Sequence, residues 1–306
     1  MKDISTLKVD MERVLVTGEG FTQEISEWVA DDLAKSLNRQ FGGRGPKKRT
    51  LRASNLGTPC ERKLWYSVNS NVEPEPLPAS TLNKFIFGDI TESYILGLVK
   101  AAGHDVQGLQ GNVDICGIRG ARDCIIDGVL CDVKSASSRA FEKFKYGKLR
   151  EDDPFGYISQ LSSYLYGSQS DPLLKEKDKA FFLAFDKQFG HIAVDIYDLS
   201  EEVKGKEAEV KHKKSLVKGS IPDRPKWKRM EYNRSTKAYD VAEVAEDWKS
   251  GEAGNRKLST NCSYCDHKTE CWPDLRTFIR ASSVEFLTKV VKEPGGNVFE
   301  KGQENF

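Results

Sequence analysis

Apolar positions recur every three or four residues between 21 and 40, where Phe21, Ile25, Trp28, Val29, Leu33 and Leu37 fall on one helical face. The spacing predicts an amphipathic helix as the first element. A linker over 42–52 follows, Gly-Gly-Arg-Gly-Pro-Lys-Lys-Arg-Thr-Leu-Arg, whose glycines and proline break regular structure and whose cations suit either solvent or a phosphate backbone. Residues 54–66 read as a short helix carrying Cys60, Arg62, Lys63, Leu64, Trp65 and Tyr66, ended by the acidic, proline-broken stretch 71–79.

Ser80 is placed to cap a long helix that stops at Gly103. One face of that helix reads Leu82, Phe85, Asp89, Glu92, Leu96, Val99, an apolar stripe interrupted by two carboxylates. Strand-like sequence runs from about 105 to 136, a further helix over 154–167, then a hairpin pairing 180–186 with 191–197 and a charged helix over 200–218. The pattern is weak from 219 to 260, where Trp227, Tyr232, Tyr239 and Trp248 are the notable side chains, and no repeat is evident.

Composition adds few constraints. The 306 residues carry 38% apolar and 30% charged side chains, ordinary for a folded enzyme of one large or two small domains. No stretch approaches the roughly 20 apolar residues that span a membrane. No charged-then-apolar leader opens the chain, so it reads as soluble, intracellular and cytoplasmic. A net charge of +1 neither demands nor excludes nucleic acid, since local clusters of charge decide that. Seven cysteines without a secretion signal argue against a disulfide framework. Cys116, Cys124 and Cys131 lie in strand-like sequence and read as small buried hydrophobes.

The segment Asp123-Cys124-Ile125-Ile126-Asp127-Gly128-Val129-Leu130-Cys131-Asp132-Val133-Lys134 carries the candidate chemistry. Asp-Gly between two apolar runs is a strong two-residue hairpin signal. With Asp127 and Gly128 as the turn, Ile126 pairs with Val129, Ile125 with Leu130, Cys124 with Cys131 and Asp123 with Asp132. Directly opposed side chains stand about 5 Å apart, so the two carboxylates repel unless a cation lies between them. Lys134, two residues on, shares the face of Asp132, and Glu92 adds a carboxylate from the apolar face of a helix, where an unpaired charge is costly. Hard oxygen donors favour Mg²⁺ or Mn²⁺, and a lysine beside them can orient water or phosphate.

Gly120-Ala121-Arg122-Asp123 followed by Asp132-Val133-Lys134 resembles the GxxD and (D/E)xK motifs of PD-(D/E)XK nucleases, with Gly88-Asp89-Ile90-Thr91-Glu92 where that family's first helix carries its acidic or histidine ligand. Gln160-Leu161-Ser162-Ser163-Tyr164 matches the QxxxY helix of the RecB-like and CRISPR-associated exonucleases of this superfamily. Glu92 instead of histidine is a departure from many iron-sulfur members and is shared with some phage exonucleases. The resemblance implies an α/β fold, a mixed sheet flanked by helices, and a metal held by Glu92, Asp123, Asp132 and Val133. It also implies catalytic roles for Glu92, Asp123, Asp132, Lys134, Gln160 and Tyr164. The implied activity is exonucleolytic hydrolysis of DNA at single-stranded or frayed ends, with recombination or replication proteins as partners, in the host cytoplasm if phage-encoded. Arg52, Arg62, Lys63, Arg119, Arg122, Trp65 and Tyr66 are candidates for holding backbone or stacking bases.

Cys262-x2-Cys265-x5-Cys271, with Cys60 far upstream, resembles the iron-sulfur nucleases of the same superfamily, which place one cysteine before the nuclease core and three after it. Four thiolates are what a [4Fe-4S] cluster requires. Zinc competes, because His267 lies among the cysteines, although a zinc ribbon normally offers two close pairs. The expected organisation is an N-terminal helical extension and basic linker (1–50), a nuclease domain closed by the four-cysteine cluster (51–275), and a C-terminal helix and tail (276–306). Two other readings stand beside it: a DNA-end-binding accessory protein of recombination or spacer acquisition with weak nuclease activity, and a zinc protein of nucleic-acid metabolism.

Overall fold

The computed structural model describes residues 2–42, 49–72, 79–224, 227–233, 238–244, 247–249, 255–280, 284–295 and 299–300. A 3-10 turn (Ile4–Thr6) leads into α1 (Leu7–Thr17), α2 (Gln23–Phe41), α3 (Ala53–Leu56), α4 (Glu61–Asn69) and α5 (Ala79–Ala101). Strands β1 (Val106–Gln107), β2 (Asn112–Ile115), β3 (Ile118–Ala121), β4 (Cys124–Ile126) and β5 (Val129–Ala136) follow, then α6 (Ser138–Lys145), α7 (Tyr157–Gly167), β6 (Lys179–Asp186), β7 (Ile192–Asp198) and α8 (Ser200–Leu216). The remainder holds β8 (Trp227–Asn233), β9 (Ala238–Val244), β10 (Asp247–Lys249), β11 (Arg256–Leu258), α9 (Thr260–Ser263), α10 (Lys268–Cys271), β12 (Arg276–Ile279), β13 (Val284–Lys289) and β14 (Phe299–Glu300). None of the described helices is long and apolar enough to cross a membrane.

The chain forms two units, Met1–Gly57 with Pro76–Lys214, and Thr58–Glu75 with Ser215–Phe306. In the first, a mixed sheet of order β1-β4-β5-β6-β7 is flanked by helices; β5 and β6 run parallel, and the other neighbours are antiparallel. Strand alternation sorts its side chains onto two cores. Leu130, Ala180, Phe182 and Ala184 join residues of α3, α6 and α7 on one face. Cys131, Val133, Phe181 and Leu183 join Leu7 and Met11 of α1 and Ile95, Leu96 and Val99 of α5 on the other.

Asp127 and Gly128 adopt φ of 51° and 86°, both left-handed as a type I′ turn requires, and Cys124↔Cys131, Ile125↔Leu130 and Ile126↔Val129 pair in the expected register. The turn is anchored from outside the hairpin. The Asp105 amide donates to Asp127 Oδ1 at 3.1 Å, and His104 Nδ1 lies 2.5 Å from Oδ2. His104 Nε2 reaches Asp10 of α1 at 3.3 Å, so a fully buried imidazole links the N-terminal helix to the turn.

The second unit contains α4, α9, α10, a β8–β9 hairpin and a sheet of order β10-β11-β13-β12-β14. Its buried apolar side chains include Leu64, Tyr66, Leu258, Phe278 and Leu287.

Several expected elements differ. The first helix is α1, and both α1 and α2 belong to the first unit instead of forming an extension; the expected 51–275 domain is shared between the units. The expected 54–66 helix is broken by Gly57-Thr58-Pro59 into α3 and α4, which makes Cys60 the N-cap of α4. The apolar stripe of α5 is buried at Leu96 and Val99 and exposed at Leu82 and Phe85. Helix α6, with Phe141 and Phe144 buried, was not expected. Beyond 275 the chain forms strands β12 to β14 where a helix was expected, and 219–260 also contains strands. Residues 43–48 of the basic linker lie outside the described residues, as do the side chains of Ser80, Trp227, Tyr232, Tyr239 and Trp248.

Gly120 is required by a close approach: a Cβ there would meet the Ala53 Cβ of α3 at 2.2 Å. Gly120→Ala should therefore cost about 1–3 kcal/mol through overpacking, read as a lower urea midpoint. Ala53→Gly in the same chain should recover part of that loss, and full additivity of the two losses would refute the contact.

Candidate active site

On β5 the residues that face the α6/α7 side alternate as Leu130, Asp132, Lys134 and Ala136, so two charged side chains interrupt an apolar row. Asp132 is 2% exposed, and the Lys134 ammonium sits against its Oδ2 as an ion pair. That oxygen has no well-directed hydrogen bond. Lys134 Nζ also lies 4.9 Å from the centre of the Tyr157 ring and 6.0 Å from that of Phe182, so aromatic faces wall the cation in.

Asp123 stands just before β4, and its Oδ2 accepts the Val133 amide at 3.0 Å. Burial pushes its carboxyl well above the usual range, with the charges of Asp132 and Glu92 adding to the effect. Glu92 on α5 is raised from 4.5 to about 7, first by burial and then by Asp132, Asp32 and Asp89. Lys134 feels the converse: burial alone would lower it, but Asp132 and Asp123 hold it above the ordinary lysine range. Three carboxylates therefore crowd one location, and the lysine offsets their charge incompletely.

Helix α7 completes the neighbourhood. Asp153 caps it, accepting the amides of Tyr157 and Ile158 at 2.9 Å each. Gln160 Nε2 donates to the Tyr164 hydroxyl at 2.9 Å, and the phenol is raised to about 12 by burial and the charge of Asp132. The structure thus brings Glu92, Asp123, Asp132, Lys134, Gln160 and Tyr164 together, with the Val133 amide serving Asp123. Tyr157 and Gln110 were not among the expected site residues. Tyr157 shares the helical face of Gln160 and Tyr164 at spacings of three and seven, a signal that could have marked it. Gln110 Nε2 donates to Glu92 Oε1 at 3.1 Å, and no local sequence signal marks it.

Cys60, Cys262, Cys265 and Cys271 all belong to the second unit, and none is in a disulfide. Cys60 Sγ accepts the Lys63 amide at 3.3 Å as the cap of α4, and its thiol is raised by burial and by Cys262 and Cys271. Burial raises Cys265 to about 11, with Cys60 and Cys262 contributing. Arg62 Nε donates to Cys271 Sγ at 3.2 Å. His267 stacks on Tyr66 with centroids 5.5 Å apart and lies 3.7 Å from Glu270, so it is engaged by neighbours other than the thiols. Cys124 and Cys131 are fully buried in the sheet core, and Cys116 is half-buried with its thiol 3.5 Å from the Tyr166 hydroxyl.

Among the described residues no set of three or more His, Cys, Asp or Glu is already arranged to coordinate an ion. Several candidates for nucleic-acid contact have structural partners. Arg122 is buried on Ser168 and Asp171, Arg62 also binds the Pro222 carbonyl, Trp65 donates to the Gly219 carbonyl, and Tyr66 is 6% exposed.

No family model matches the chain, and no curated protein matches it. A solved structure described as "Crystal structure of SSO0001" is similar at a TM-score of 0.33 and 16% identity, over 62% of this chain and 86% of that one. A likeness at that level carries no weight for fold or function.

Proposed function

We propose that this chain is a metal-dependent deoxyribonuclease of the PD-(D/E)XK type, acting as an exonuclease on single-stranded or frayed DNA ends. The observation that carries the reading is the convergence of Glu92 of α5 with Asp123, Asp132 and Lys134, whose ammonium lies against the Tyr157 ring of α7. The donor set fits a divalent cation. Two of the three carboxyls are held above their ordinary range, first by burial and then by neighbouring carboxylates, and a buried Asp132 oxygen, ion-paired with Lys134, has no hydrogen-bond partner among the described residues. All the donors are hard oxygens, as Mg²⁺ or Mn²⁺ prefers, and the Val133 carbonyl is the fourth donor that the resemblance implies.

A cation held there would activate water and stabilise charge on the scissile phosphate. The chain's own groups do the rest. Val133 fixes Asp123 through its amide, leaving Oδ1 of that carboxylate to ligate. Lys134, kept protonated by Asp132 and Asp123, serves as a fixed positive charge for the phosphate or the attacking water and not as a proton acceptor. Gln160 orients the Tyr164 phenol beside it, and Tyr157 shields the ammonium from solvent.

The four cysteines are read as ligands of a structural [4Fe-4S] cluster. In support, Cys262 and Cys271 help to raise the Cys60 thiol and Cys60 and Cys262 that of Cys265, and His267, the nitrogen donor that zinc would recruit, is engaged by Tyr66 and Glu270.

Three tests follow from this reading. With end-labelled single- and double-stranded DNA and Mg²⁺ or Mn²⁺, Asp132→Asn and Lys134→Ala should each lower the cutting rate roughly 100-fold or more while the fold is kept. Undiminished cutting by either variant would remove the proposed site.

Stability should depend on pH in a direction set by Glu92. Its carboxyl binds a proton more tightly folded than unfolded, so without divalent cation the stabilisation is complete below about 4.5 and is lost as pH rises to about 7. The change is on the order of 3 kcal/mol, and Asp123 acts in the same direction. Urea melts in chelator should show this slope, which Glu92→Gln should flatten and saturating Mg²⁺ should oppose. A slope unchanged in Glu92→Gln would mean that this carboxyl does not carry it.

Iron and sulfide per chain, measured across the seven Cys→Ser variants after anaerobic purification, should fall for Cys60, Cys262, Cys265 and Cys271 alone. Cys124→Ser should cost only packing, about 1–2 kcal/mol. A colourless wild-type protein with stoichiometric zinc would replace the cluster with the rival metal.

A further inference from the structure

We infer that Gln110 is a positioning residue that holds Glu92 in its ligating orientation; this rests on the metal-dependent reading above. Gln110 bridges two of the three carboxylate-bearing residues. Its side-chain amide donates to Glu92 Oε1 at 3.1 Å, and its backbone amide donates to the Asp123 carbonyl at 2.8 Å. The first bond belongs to glutamine, whereas the second can be made by any residue except proline.

The backbone at Gln110 is left-handed, with φ of 48°, a conformation in which an L side chain is strained. The loop is held there from below. Arg122, 3% exposed, donates through Nη1 to Ser168 Oγ at 2.9 Å and through Nη2 to Asp171 at 2.5 Å, and its guanidinium lies against Gly108 and Gly111. The Arg122 amide donates to the Gly111 carbonyl at 2.9 Å, and the Gly111 amide to the Gly108 carbonyl at 3.1 Å. A buried guanidinium thus supports the loop whose tip carries the strained glutamine to the mouth of the site. Backbone strain persists where surrounding contacts over-determine it.

The chemistry of the amide suits the role. Lysine or arginine at this position would neutralise Glu92 and compete with a metal for it. A neutral amide fixes Oε1 and leaves the negative charge and Oε2 for the cation. Hydrogen-bond partners that orient ligating carboxylates contribute about 10- to 100-fold to metal affinity.

The strain separates positioning from ordinary structural support. Gln110→Gly removes the Glu92 bond and also relieves the left-handed backbone, and Gln110→Asn tolerates the same backbone but is one methylene too short. Mn²⁺ affinity by calorimetry and the melting temperature in chelator are read on wild type, both variants and Asp132→Asn. Both Gln110 variants should bind Mn²⁺ about tenfold more weakly, with the Gln110→Gly melting temperature unchanged or higher. Wild-type affinity in both, with affinity lost in Asp132→Asn, would overturn the inference and leave the metal site standing. Loss of affinity together with a lower melting temperature in Gln110→Gly would make the residue a structural support and also overturn it. A wild-type protein whose Mn²⁺ binding is absent or insensitive to Asp132→Asn overturns the metal reading, and this inference with it.

Discussion

The two-residue turn at Asp127-Gly128 sets the hairpin register through Cys124↔Cys131 and so brings Asp123, just before β4, close to Asp132. Slipping the hairpin by one residue would send Asp132 and Lys134 to the face that packs on α1 and α5, and Cys131 and Val133 to the face that packs on α7. Both faces of β5 and β6 are buried and mostly apolar, so the penalty for that slip falls on Asp132 and Lys134, which it would drive into an apolar core. The mutual repulsion of the carboxylates is thus overridden by a fold whose larger energies lie in the two cores. The turn itself is braced from a distance, since His104 ties Asp127 to Asp10 on α1. Helix α1, which carries none of the candidate site residues, thus braces the turn of the hairpin that carries Asp132.

The two faces of the sheet treat charge differently. Toward α1 and α5 the buried sheet positions are apolar, and the Cys124 and Cys131 thiols sit there as packing groups. Toward α7 the apolar row is interrupted where Tyr157, Tyr164 and Phe182 supply amphipathic or aromatic surroundings for a lysine and its carboxylates. Burial is the largest cause of the upward shifts at Glu92 and Asp123, and the neighbouring carboxylates add to it. The same low-dielectric setting would strengthen the hold on a small hard cation.

What was legible in the sequence followed from strong local rules. Asp127-Gly128 specified a turn and, by counting, the partners of each residue in the hairpin. Apolar runs over 180–186 and 191–197 marked a hairpin, and Gln160 and Tyr164 lay one turn apart on a helix. Other features depended on tertiary context. Leu7, Met11 and Val14 do have helical spacing, but over so short a span that only burial under the sheet makes α1 evident. Residues 54–66 looked continuous because the helical pattern on either side of Pro59 masks the break. The strands after 275 are short and partly polar, and their pairing with β11 is non-local. Gln110 could not have been found from spacing at all, because its role depends on a left-handed loop supported by Arg122.

The second unit poses the same physical problem as the first with softer donors. Cys60 has its thiol fixed at the start of α4, where a backbone amide points at the sulfur and the helix dipole favours negative charge. The Arg62 guanidinium donates to Cys271. Both features favour thiolates, yet burial and crowding push Cys60 and Cys265 up, so the protonated thiols prevail when nothing else neutralises them. A metal centre would replace those protons. Its binding would then be coupled to pH and to the joining of two segments almost two hundred residues apart, α4 and the α9–α10 turn. In both units, then, groups that repel one another are brought together by the packing around them, and a bound cation or cluster is the economical way to relieve that conflict without unfolding either sheet.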